Sequence, residues 1–550
     1  MEDPGRGGRV PAFILALGLV ASFCLFSFGF TEGLTGRSEG RYASLAAAMA
    51  RSGDYLVPRL DGIRHFEKPP LSIWAMAFSL RTFGESEWAL RLPGILAALC
   101  GLVAAYLLAG GGGSWMGMWA LFLAAASPLY FLLARSATTD IYLAAFSALT
   151  LFFSARALER GKDTAGRSRD LNLATLMAAL GFLTKGPIIW ILTLGPLGIE
   201  MAWSRIPGEM RSLFSWRRIL LFTGVVAPWF LAVGYQNPGL LGWFIRERTV
   251  GALVSSRDFH PGPWYYYAPF LFLGFLPAVI ILGAAGREGW RGLLASRRHR
   301  LLLNAIVFPL VVLSLSASKL PAYVLPLVVP MAVLAAAVMA AGHGRRGIVG
   351  AAGGSLVLLL GAARVTWRKG WVGKIAPGDL QIFAAAAFLL VAGSLVAAGL
   401  ALARREKLGG ALLVAFQMGA LAWSFPALAR ATSPRPIALE AGRLASDGQP
   451  IICYQTLVRS LPFYTGRDVY VVRWHSEARV SEAERAGVYL ETPEEFRALL
   501  SQGPAVVISN PQRVEDLLRE VGPLRRIREK GRFVLFTSDQ GAGRAQKEGE

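Results

Sequence analysis

The sequence predicts a polytopic α-helical membrane protein with about thirteen transmembrane helices and a small soluble α/β domain at its C-terminal end. Three observations lead to this prediction: long apolar runs, basic residues in every second loop, and a change of pattern after residue 430. Hydrophobic residues make up 54% of the 550 residues, and the mean hydropathy is +0.45. Soluble domains lie near roughly 45–50%, so much of this chain is expected to be solvated by lipid.

The apolar runs are long enough to cross a bilayer, which takes about 20 helical residues. Residues 11–30 follow a basic flank and resemble a signal peptide, but no small-residue cleavage pattern follows them. We therefore interpret them as the first span. The predicted spans are residues 11–30, 88–108, 115–134, 139–156, 171–184, 188–203, 219–235, 264–285, 301–318, 321–341, 347–363, 380–403 and 409–430.

The formal net charge is +21, from 57 Lys and Arg against 36 Asp and Glu. In a soluble protein this would suggest a nucleic-acid partner; in a membrane protein, cytoplasmic loops collect basic residues. The loops after the fourth, sixth and eighth spans are basic, as are residues 345–346 and 404–407. This alternation predicts a cytoplasmic N-terminus, an outer C-terminal region and no nucleic-acid partner. Residues 364–374 are basic on the outer side and are expected to lie along the anionic lipid surface.

The change of pattern defines three predicted domains: a transmembrane domain (1–430), an outer α/β domain (431–540) and a disordered tail (541–550). In the second, β-rich runs (450–454, 468–473, 505–509, 532–537) alternate with helix-like runs (492–501, 511–521). Such alternation is typical of small α/β domains. The three cysteines show no disulfide framework or metal-ligand spacing.

The longest outer loop, residues 31–87, contains two stretches with amphipathic patterns, 42–51 and 71–82. Pro69 and Pro70 precede the second stretch, and proline is tolerated in a first helical turn. We therefore predict two helices that lie in the membrane interface.

Ionisable residues cluster in this loop and recur at other predicted outer junctions. Charges near hydrocarbon are costly and tend to mark function, which suggests one shared cavity at the outer face. Its cations can hold phosphate, and a carboxylate such as Glu39 can take a proton from an attacking hydroxyl. These residues favour group transfer from a lipid-linked phosphate. The cations are Arg41, Lys68, Lys185 and Lys319.

Residues 39–93 resemble the first outer loop of bacterial lipid A aminoarabinose transferases, above all in GDYLVPRLDGIRHFEKPP (53–70). These belong to the polyprenyl-phosphate-dependent glycosyltransferases of the GT-C fold, which are related to protein O-mannosyltransferases. Further matching pieces follow in the same order over residues 10–430: Arg135 and Asp140, LTKGP (183–187), FHPGPWYYY (259–267) and SASKLPAYVLPL (316–327).

The resemblance implies roles for individual residues. The family's proposed catalytic aspartate falls on Ser38, which is a poor base, so either Glu39 or Asp140 takes that role, and we favour Glu39. Arg41 and Lys68 match residues that hold the donor phosphate.

Four further residues complete the implied site. Arg135 and Tyr323 are expected to line the same pocket. Glu67 and His260 match a pair that can bind zinc in a family member, although two ligands are fewer than zinc normally takes. No cofactor is expected to be required, and any metal is expected to be structural or adventitious.

The implied function is an inverting glycosyltransferase in a bacterial inner membrane, with its C-terminal domain in the periplasm. It would move a sugar from a polyprenyl-phosphate donor to a lipid A-like lipid or another cell-envelope acceptor. A transporter or flippase for a lipid-linked anion is the alternative, but it needs charges along a path through the midplane. A scaffold role is a third hypothesis, which leaves the clustered outer charges unexplained.

Overall fold

A computed structural model describes residues 11–111, 113–160, 163–206, 209–244, 246, 251, 262–368, 376–445, 448–474 and 487–538. Three predictions fall outside these ranges: the tail 541–550, His260 and the larger part of the basic segment 364–374. The described chain divides into two compact units. The first comprises Met1–Phe30, Lys68–Ser72 and Arg91–Ala427, and the second comprises Thr31–Glu67, Ile73–Leu90 and Leu428–Glu550.

Helices dominate both units. Up to residue 243 they are α1 (Ala12–Ser27), α2 (Gly36–Ser52), α3 (Leu71–Phe83), α4 (Glu87–Leu108), α5 (Trp115–Ala126), α6 (Pro128–Ala134), α7 (Asp140–Glu159), α8 (Thr164–Lys185), α9 (Ile188–Leu192), α10 (Leu194–Ser204), α11 (Glu209–Leu213), α12 (Trp216–Gln236) and α13 (Leu240–Trp243). The later ones are α14 (Tyr267–Gly274), α15 (Ala278–Gly283), α16 (Gly286–Ala295), α17 (Arg297–Leu315), α18 (Val328–Val338), α19 (Gly344–Arg368), α20 (Pro377–Leu402), α21 (Glu406–Thr432), α22 (Arg435–Leu444), α23 (Leu461–Thr465), α24 (Pro493–Ser501) and α25 (Val514–Val521).

Within the described ranges, seven helical segments are long and apolar enough to cross a membrane, and eight are if the bent pair α5–α6 forms one span. The count of thirteen spans stays a prediction. Where the hydropathy of 115–134 predicts a continuous helix, α5 and α6 meet at an angle of 71°. The predicted span 264–285 is likewise divided into α14 and α15.

Polar side chains satisfy the backbone groups that these breaks release. Buried Gln417 donates to the carbonyl oxygens of Ala126 (3.0 Å) and Leu276 (3.1 Å), which lie at the two breaks. The Ser127 hydroxyl donates to the carbonyl of Gly274 at 2.5 Å. An unsatisfied carbonyl away from water costs several kcal/mol, so these bonds make the interruptions tolerable.

Helices α7 and α8 form an antiparallel pair in the first unit, since the first residue of α7 contacts the last residue of α8. Helix α12 runs parallel to α8: Ser168 contacts Arg218 near the starts of both helices, and Phe182 packs on Phe230 further along. The 3₁₀ segment Pro321–Leu327 packs against α7. These contacts bring the ends of several helices together where the chemistry described below lies.

The second unit contains a short hairpin and a six-stranded sheet. The hairpin consists of β1 (Arg59–Leu60) and β2 (Ile63–Arg64). The sheet consists of β3 (Ile451–Tyr454), β4 (Tyr470–Val472), β5 (Tyr489–Leu490), β6 (Val506–Ser509), β7 (Arg525–Lys530) and β8 (Phe533–Thr537). The sheet order is β5-β4-β3-β6-β8-β7. Strands β5, β4, β3 and β6 are parallel, and β8 is antiparallel to both β6 and β7.

Side chains alternate between the two faces of this sheet. Ile451 and Cys453 belong to a core that includes residues of α22 and α23, whereas Ile452 and Tyr454 belong to a second core with residues of α24 and α25. Because both faces are covered, every residue of β3 and β6 is buried. Each of the four predicted β-rich runs contains a strand, and both predicted helix-like runs contain a helix.

The predicted outer-loop helices are also present, as α2 and α3. Helix α2 packs on the C-terminal part of the second unit. The Ser44 hydroxyl donates to the carbonyl of Arg459 (2.8 Å) and accepts from the amide of Phe463 (3.2 Å). A Cβ on Gly40 would lie 2.9 Å from the amide nitrogen of Ser460, so only glycine permits this approach. Much of the outer loop therefore folds with residues 428–538.

Candidate active site

Asp140 and Lys185 form an ion pair in the first unit. Asp140 begins α7 and Lys185 ends α8, and because these helices are antiparallel the two side chains meet. The Lys185 Nζ lies 2.5 Å from the Asp140 Oδ1, and the two side chains are 11% and 12% exposed. Ion pairs this secluded are strongly coupled, and removing one partner leaves an uncompensated charge.

Tyr323 and Lys319 come from the segment that packs on α7. The Lys185 Nζ lies 4.6 Å from the centroid of the Tyr323 ring, a cation–π distance. Lys319 is buried and donates from Nζ to the carbonyl of Ser316 at 2.5 Å. Its Cδ would be 3.2 Å from a Cβ on Gly262. We call Asp140, Lys185 and Tyr323, together with Lys319 four residues before Tyr323 in the same segment, the Asp140 cluster.

Arg135 was predicted to line the pocket, and its guanidinium binds the end of α1. It donates to the carbonyls of Leu25 (3.3 Å) and Phe28, and it stacks 3.8 Å from the centroid of Phe425. These contacts satisfy carbonyls that the helix end leaves open. Lys68 lies half-buried in a bend just before α3.

Glu39 and Ser38 lie in the first turns of α2, in the second unit. The Glu39 Oε2 accepts from the backbone amide of Thr35 (2.5 Å) and from its hydroxyl (3.0 Å). Thr35 is the N-cap residue, so the carboxylate satisfies the start of the helix. Ser38, at the position of the family's aspartate, is exposed.

A second ion pair joins Arg41 to Glu67, with Nη1 and Oε2 2.7 Å apart. His65, for which no role was predicted, lies with its Nε2 3.6 Å from the same carboxylate oxygen. Residues two apart in an extended segment point to the same side, so the spacing of His65 and Glu67 was a usable signal. All three side chains are at most 11% exposed.

The zinc pair that the resemblance implies, Glu67 and His260, stays a prediction, because His260 lies outside the described residues. Among them, no group of three His, Cys, Asp or Glu side chains is arranged to hold a metal. The Glu67 carboxylate is already engaged by a guanidinium, and zinc takes three or four protein ligands.

Asp61 is another buried titratable group of residues 31–87 for which no individual role was predicted. It occupies the turn of the β1–β2 hairpin with φ 52°, is 6% exposed, and accepts from the backbone amide of Val469 at 3.3 Å. Burial, with a contribution from the Asp468 carboxylate, raises the pKa of Asp61 to about 7, while the Val469 amide and Arg459 oppose that rise. Position in the sequence gave no sign of this burial, because the covering residues lie some 400 positions away.

Comparisons with known proteins agree with this architecture. Residues 67–231 match the family model described as dolichyl-phosphate-mannose-protein mannosyltransferase. The undecaprenyl phosphate-α-4-amino-4-deoxy-L-arabinose arabinosyl transferase of Pseudomonas savastanoi pv. phaseolicola is 30% identical over 366 residues, which cover 62% of this chain and 65% of the relative. Its counterpart from Yersinia enterocolitica is 32% identical over 302 residues, or 52% of each chain. The chain is therefore similar to these arabinosyl transferases and, over residues 67–231, to the mannosyltransferase family model. The resemblance inferred from residues 39–93 is thereby confirmed.

The structural comparison extends the likeness to the whole GT-C fold. The crystal structure of ArnT from Cupriavidus metallidurans bound to undecaprenyl phosphate superposes with a TM-score of 0.83 and covers 97% of this chain and 99% of that one. The identity is 21%, so this match concerns the fold. The protein is a multi-pass membrane protein. It spans between about half and two thirds of the length of the curated relatives named above.

Proposed function

We propose that the protein is a membrane glycosyltransferase that moves a sugar from a polyprenyl-phosphate donor to a lipid A-like lipid or another cell-envelope acceptor. The Asp140 cluster is the observation that carries this proposal. It brings a carboxylate, two ammonium groups and a tyrosine to the ends of apolar helices. Such a set can bind an anionic headgroup presented from the membrane. The names of the relatives, which are undecaprenyl phosphate-dependent arabinosyl transferases, agree with this chemistry.

Lys185 and Lys319 are proposed to hold the donor phosphate. Each ammonium carries three N–H donors; Lys185 lies beside the Asp140 carboxylate, and Lys319 donates to the Ser316 carbonyl. As the bond between the anomeric carbon and the phosphate oxygen breaks, negative charge grows on the phosphate. Fixed cations stabilise that charge most strongly in a secluded site. Arg41 and Lys68 stay predicted phosphate ligands.

Asp140 is proposed as the base rather than Glu39, because the Glu39 carboxylate caps α2. A hydroxyl of the acceptor attacks the anomeric carbon, a new C–O bond forms, and its proton passes to the carboxylate. The polyprenyl phosphate leaves with the electron pair of the broken bond. Attack opposite the leaving group inverts the anomeric centre. No step of this reaction uses a metal.

The proposed location follows from the basic loops of the sequence: a bacterial inner membrane, with the N-terminus cytoplasmic and the C-terminal domain periplasmic. On this orientation the Asp140 cluster faces the periplasm. Accessibility of cysteines introduced at Ser38 and Ser296 to an impermeant thiol reagent tests it. We expect the cysteine at position 38 to be labelled from outside spheroplasts and the cysteine at position 296 to be labelled only after lysis.

The activity is tested in proteoliposomes with a radiolabelled polyprenyl-phosphate sugar and lipid A. We expect Asp140→Asn and Lys185→Met to lower transfer by at least about 100-fold, the usual contribution of a proton-transfer group. Asp516→Asn, a matched change at an exposed carboxylate of the second unit, should leave the rate unchanged. Full activity in both cluster variants rejects the site. Movement of the labelled lipid between leaflets without sugar transfer would instead favour the flippase.

A further inference from the structure

The N-terminal end of helix α12 contains a buried arginine, Arg218, in an unusual environment. Arg218 is 7% exposed and donates to the hydroxyls of Ser215 (2.9 Å) and Ser168 (3.1 Å) and to the carbonyl of Ser212. Its Nε is buried without a hydrogen-bond partner. Every partner of this guanidinium among the described residues is therefore electrically neutral.

Three neighbouring arginines at this end of the helices pair with carboxylates instead. Buried Glu200 pairs with Arg297 (3.4 Å) and Arg300 (2.9 Å). Buried Asp170 pairs with Arg160 at 2.6 Å. No described carboxylate pairs with Arg218, and a buried charge without a counter-charge is costly, so an external anion would be stabilised there.

Helix geometry adds to the positive potential. The N-terminus of α12 carries no acidic residue in its first turn, and its N-cap, Ser215, makes no side-chain cap bond to a backbone amide. Arg167 of α8 donates to the Ser212 hydroxyl at 3.4 Å and so approaches Arg218. A helix N-terminus and like-charged guanidiniums together favour a phosphate group.

Next to Arg218 lies a cavity of about 340 Å³ whose lining is almost entirely apolar, with Leu171, Ala174 and Leu197 among its walls. It shares Trp190 and Phe222 with an adjoining apolar cavity of about 440 Å³, so the apolar lining continues along α12. A soluble anion gains nothing from such a lining, whereas an acyl chain does.

Exposed apolar residues show that this site opens toward lipid rather than water. Phe214, Trp216, Ile219 and Leu220 flank Arg218 and are 62%, 68%, 52% and 61% exposed. Aromatic residues at the end of an apolar helix are typical of the membrane interface. A lipid can therefore enter sideways, with its headgroup level with the arginine.

We propose that Arg218, with Ser168, Ser215 and the α12 N-terminus, binds the phosphate of an anionic phospholipid whose acyl chain occupies the adjoining cavity. Each serine hydroxyl that accepts from Arg218 retains a proton to donate to a phosphate oxygen. Helix α8 separates this site from the Asp140 cluster. Ser168 and Lys185 lie 17 residues apart on this helix, or about 26 Å at about 1.5 Å per residue, which approaches the roughly 30 Å thickness of a hydrocarbon core. The phospholipid site therefore lies at the opposite membrane face from the Asp140 cluster.

The test uses the full-length protein in detergent, with phosphatidylglycerol as the probe and phosphatidylcholine as its comparison. Native mass spectrometry counts retained lipids, and thermal unfolding measures stabilisation. We expect Arg218→Gln to lower retention of phosphatidylglycerol at least tenfold and to abolish its stabilising effect. Arg217→Gln, which removes the same charge from an exposed neighbour, should keep both.

A second variant separates lipid binding from folding. Ala174→Leu fills part of the cavity and leaves Arg218 in place, so it should also lower retention of phosphatidylglycerol. Equal retention in wild type and Arg218→Gln overturns the proposal, as does equal loss in Arg217→Gln. Equal stabilisation by inorganic phosphate would assign the site to a soluble anion. Displacement of phosphatidylglycerol by equimolar undecaprenyl phosphate would assign it to the donor lipid. If Arg218→Gln does not fold, undiminished retention in Ala174→Leu refutes the proposal.

Discussion

Neutralising Asp61 should stabilise the second unit at neutral and alkaline pH. The pKa of Asp61 is raised from 3.8 to about 7, first by burial and then by Asp468. The folded state therefore retains a proton that the opened state releases near pH 4. Stability from the protonated carboxyl is fully present below pH 3.8 and is lost as the pH rises through 7. A shift of about 3 units corresponds to about 4 kcal/mol, and Asp61→Asn removes this penalty.

Cys453 provides the assay because it lies in the central strand β3, is fully buried and interacts electrostatically with Asp61. Opening that exposes this thiol to a reagent also exposes Asp61. With exposed Cys24 and Cys100 replaced by serine, labelling reports the opened fraction of the second unit. Wild type and Asp61→Asn carry the same Cys453 thiol. The pH dependence of thiol ionisation therefore cancels in the ratio of their labelling rates. Fast reclosing makes each rate proportional to the opening equilibrium.

We expect the wild-type rate, divided by the Asp61→Asn rate, to rise by up to about tenfold per pH unit between pH 5.5 and 7. Above pH 7 the ratio should level off, since Asp61 is then ionised in the folded state as well. Asp516→Asn, a change at an exposed carboxylate, should show no such trend. A ratio that stays constant from pH 5.5 to 8.5 would mean that Asp61 is ionised throughout, and the reasoning from its burial would be wrong.

Three further predictions concern other contacts, each measured by the thermal midpoint in detergent. Glu39→Gln should lower stability by about 1 kcal/mol because it weakens the α2 cap, while sugar transfer continues; loss of transfer without loss of stability would restore Glu39 as the base. Asp140→Asn should cost about 3 kcal/mol, and adding Lys185→Gln should recover part of it, since no charge is then left unpaired; additive losses would contradict the coupling. Gly101→Ala places a Cβ 2.3 Å from a buried tyrosine hydroxyl and should cost about 1–3 kcal/mol, whereas Gly94→Ala, with 3.7 Å available, should be tolerated.

Local sequence was sufficient for most secondary structure in this protein. The helix predicted from Pro69, Pro70 and the pattern of 71–82 lies at Leu71–Phe83, and the run 505–509 contains β6. Both depend on neighbours within a few residues. The breaks at Ser127 and Leu276 were not predicted, because their cost is offset by Gln417, a side chain far away in sequence.

The candidate site was predictable to a similar degree. Asp140 and Lys185 were selected because charges at the ends of apolar spans are costly, and they do meet. The sequence could not distinguish a charged side chain that faces a ligand from one that hydrogen-bonds to backbone groups at a helix end. Arg135 and Glu39 are of the second kind in their visible contacts, since each binds the end of a helix. Both arrangements stabilise a charge near hydrocarbon, so only the contacts seen in the structure distinguish them.

Contacts within the second unit explain how residues 31–67 hold the Arg41–Glu67 ion pair. Residues 31–67 form one helix and a short hairpin, and hairpins such as β1–β2 are marginal alone. They are fixed instead by C-terminal residues: Ser44 by the backbone around Arg459, and the hairpin turn by Val469. The Arg41–Glu67 pair spans the helix α2 and the segment after the hairpin, so its geometry depends on both attachments. The C-terminal residues that make these contacts therefore position residues 31–67. Substitutions among them should shift the Arg41 side chain although they do not contact it.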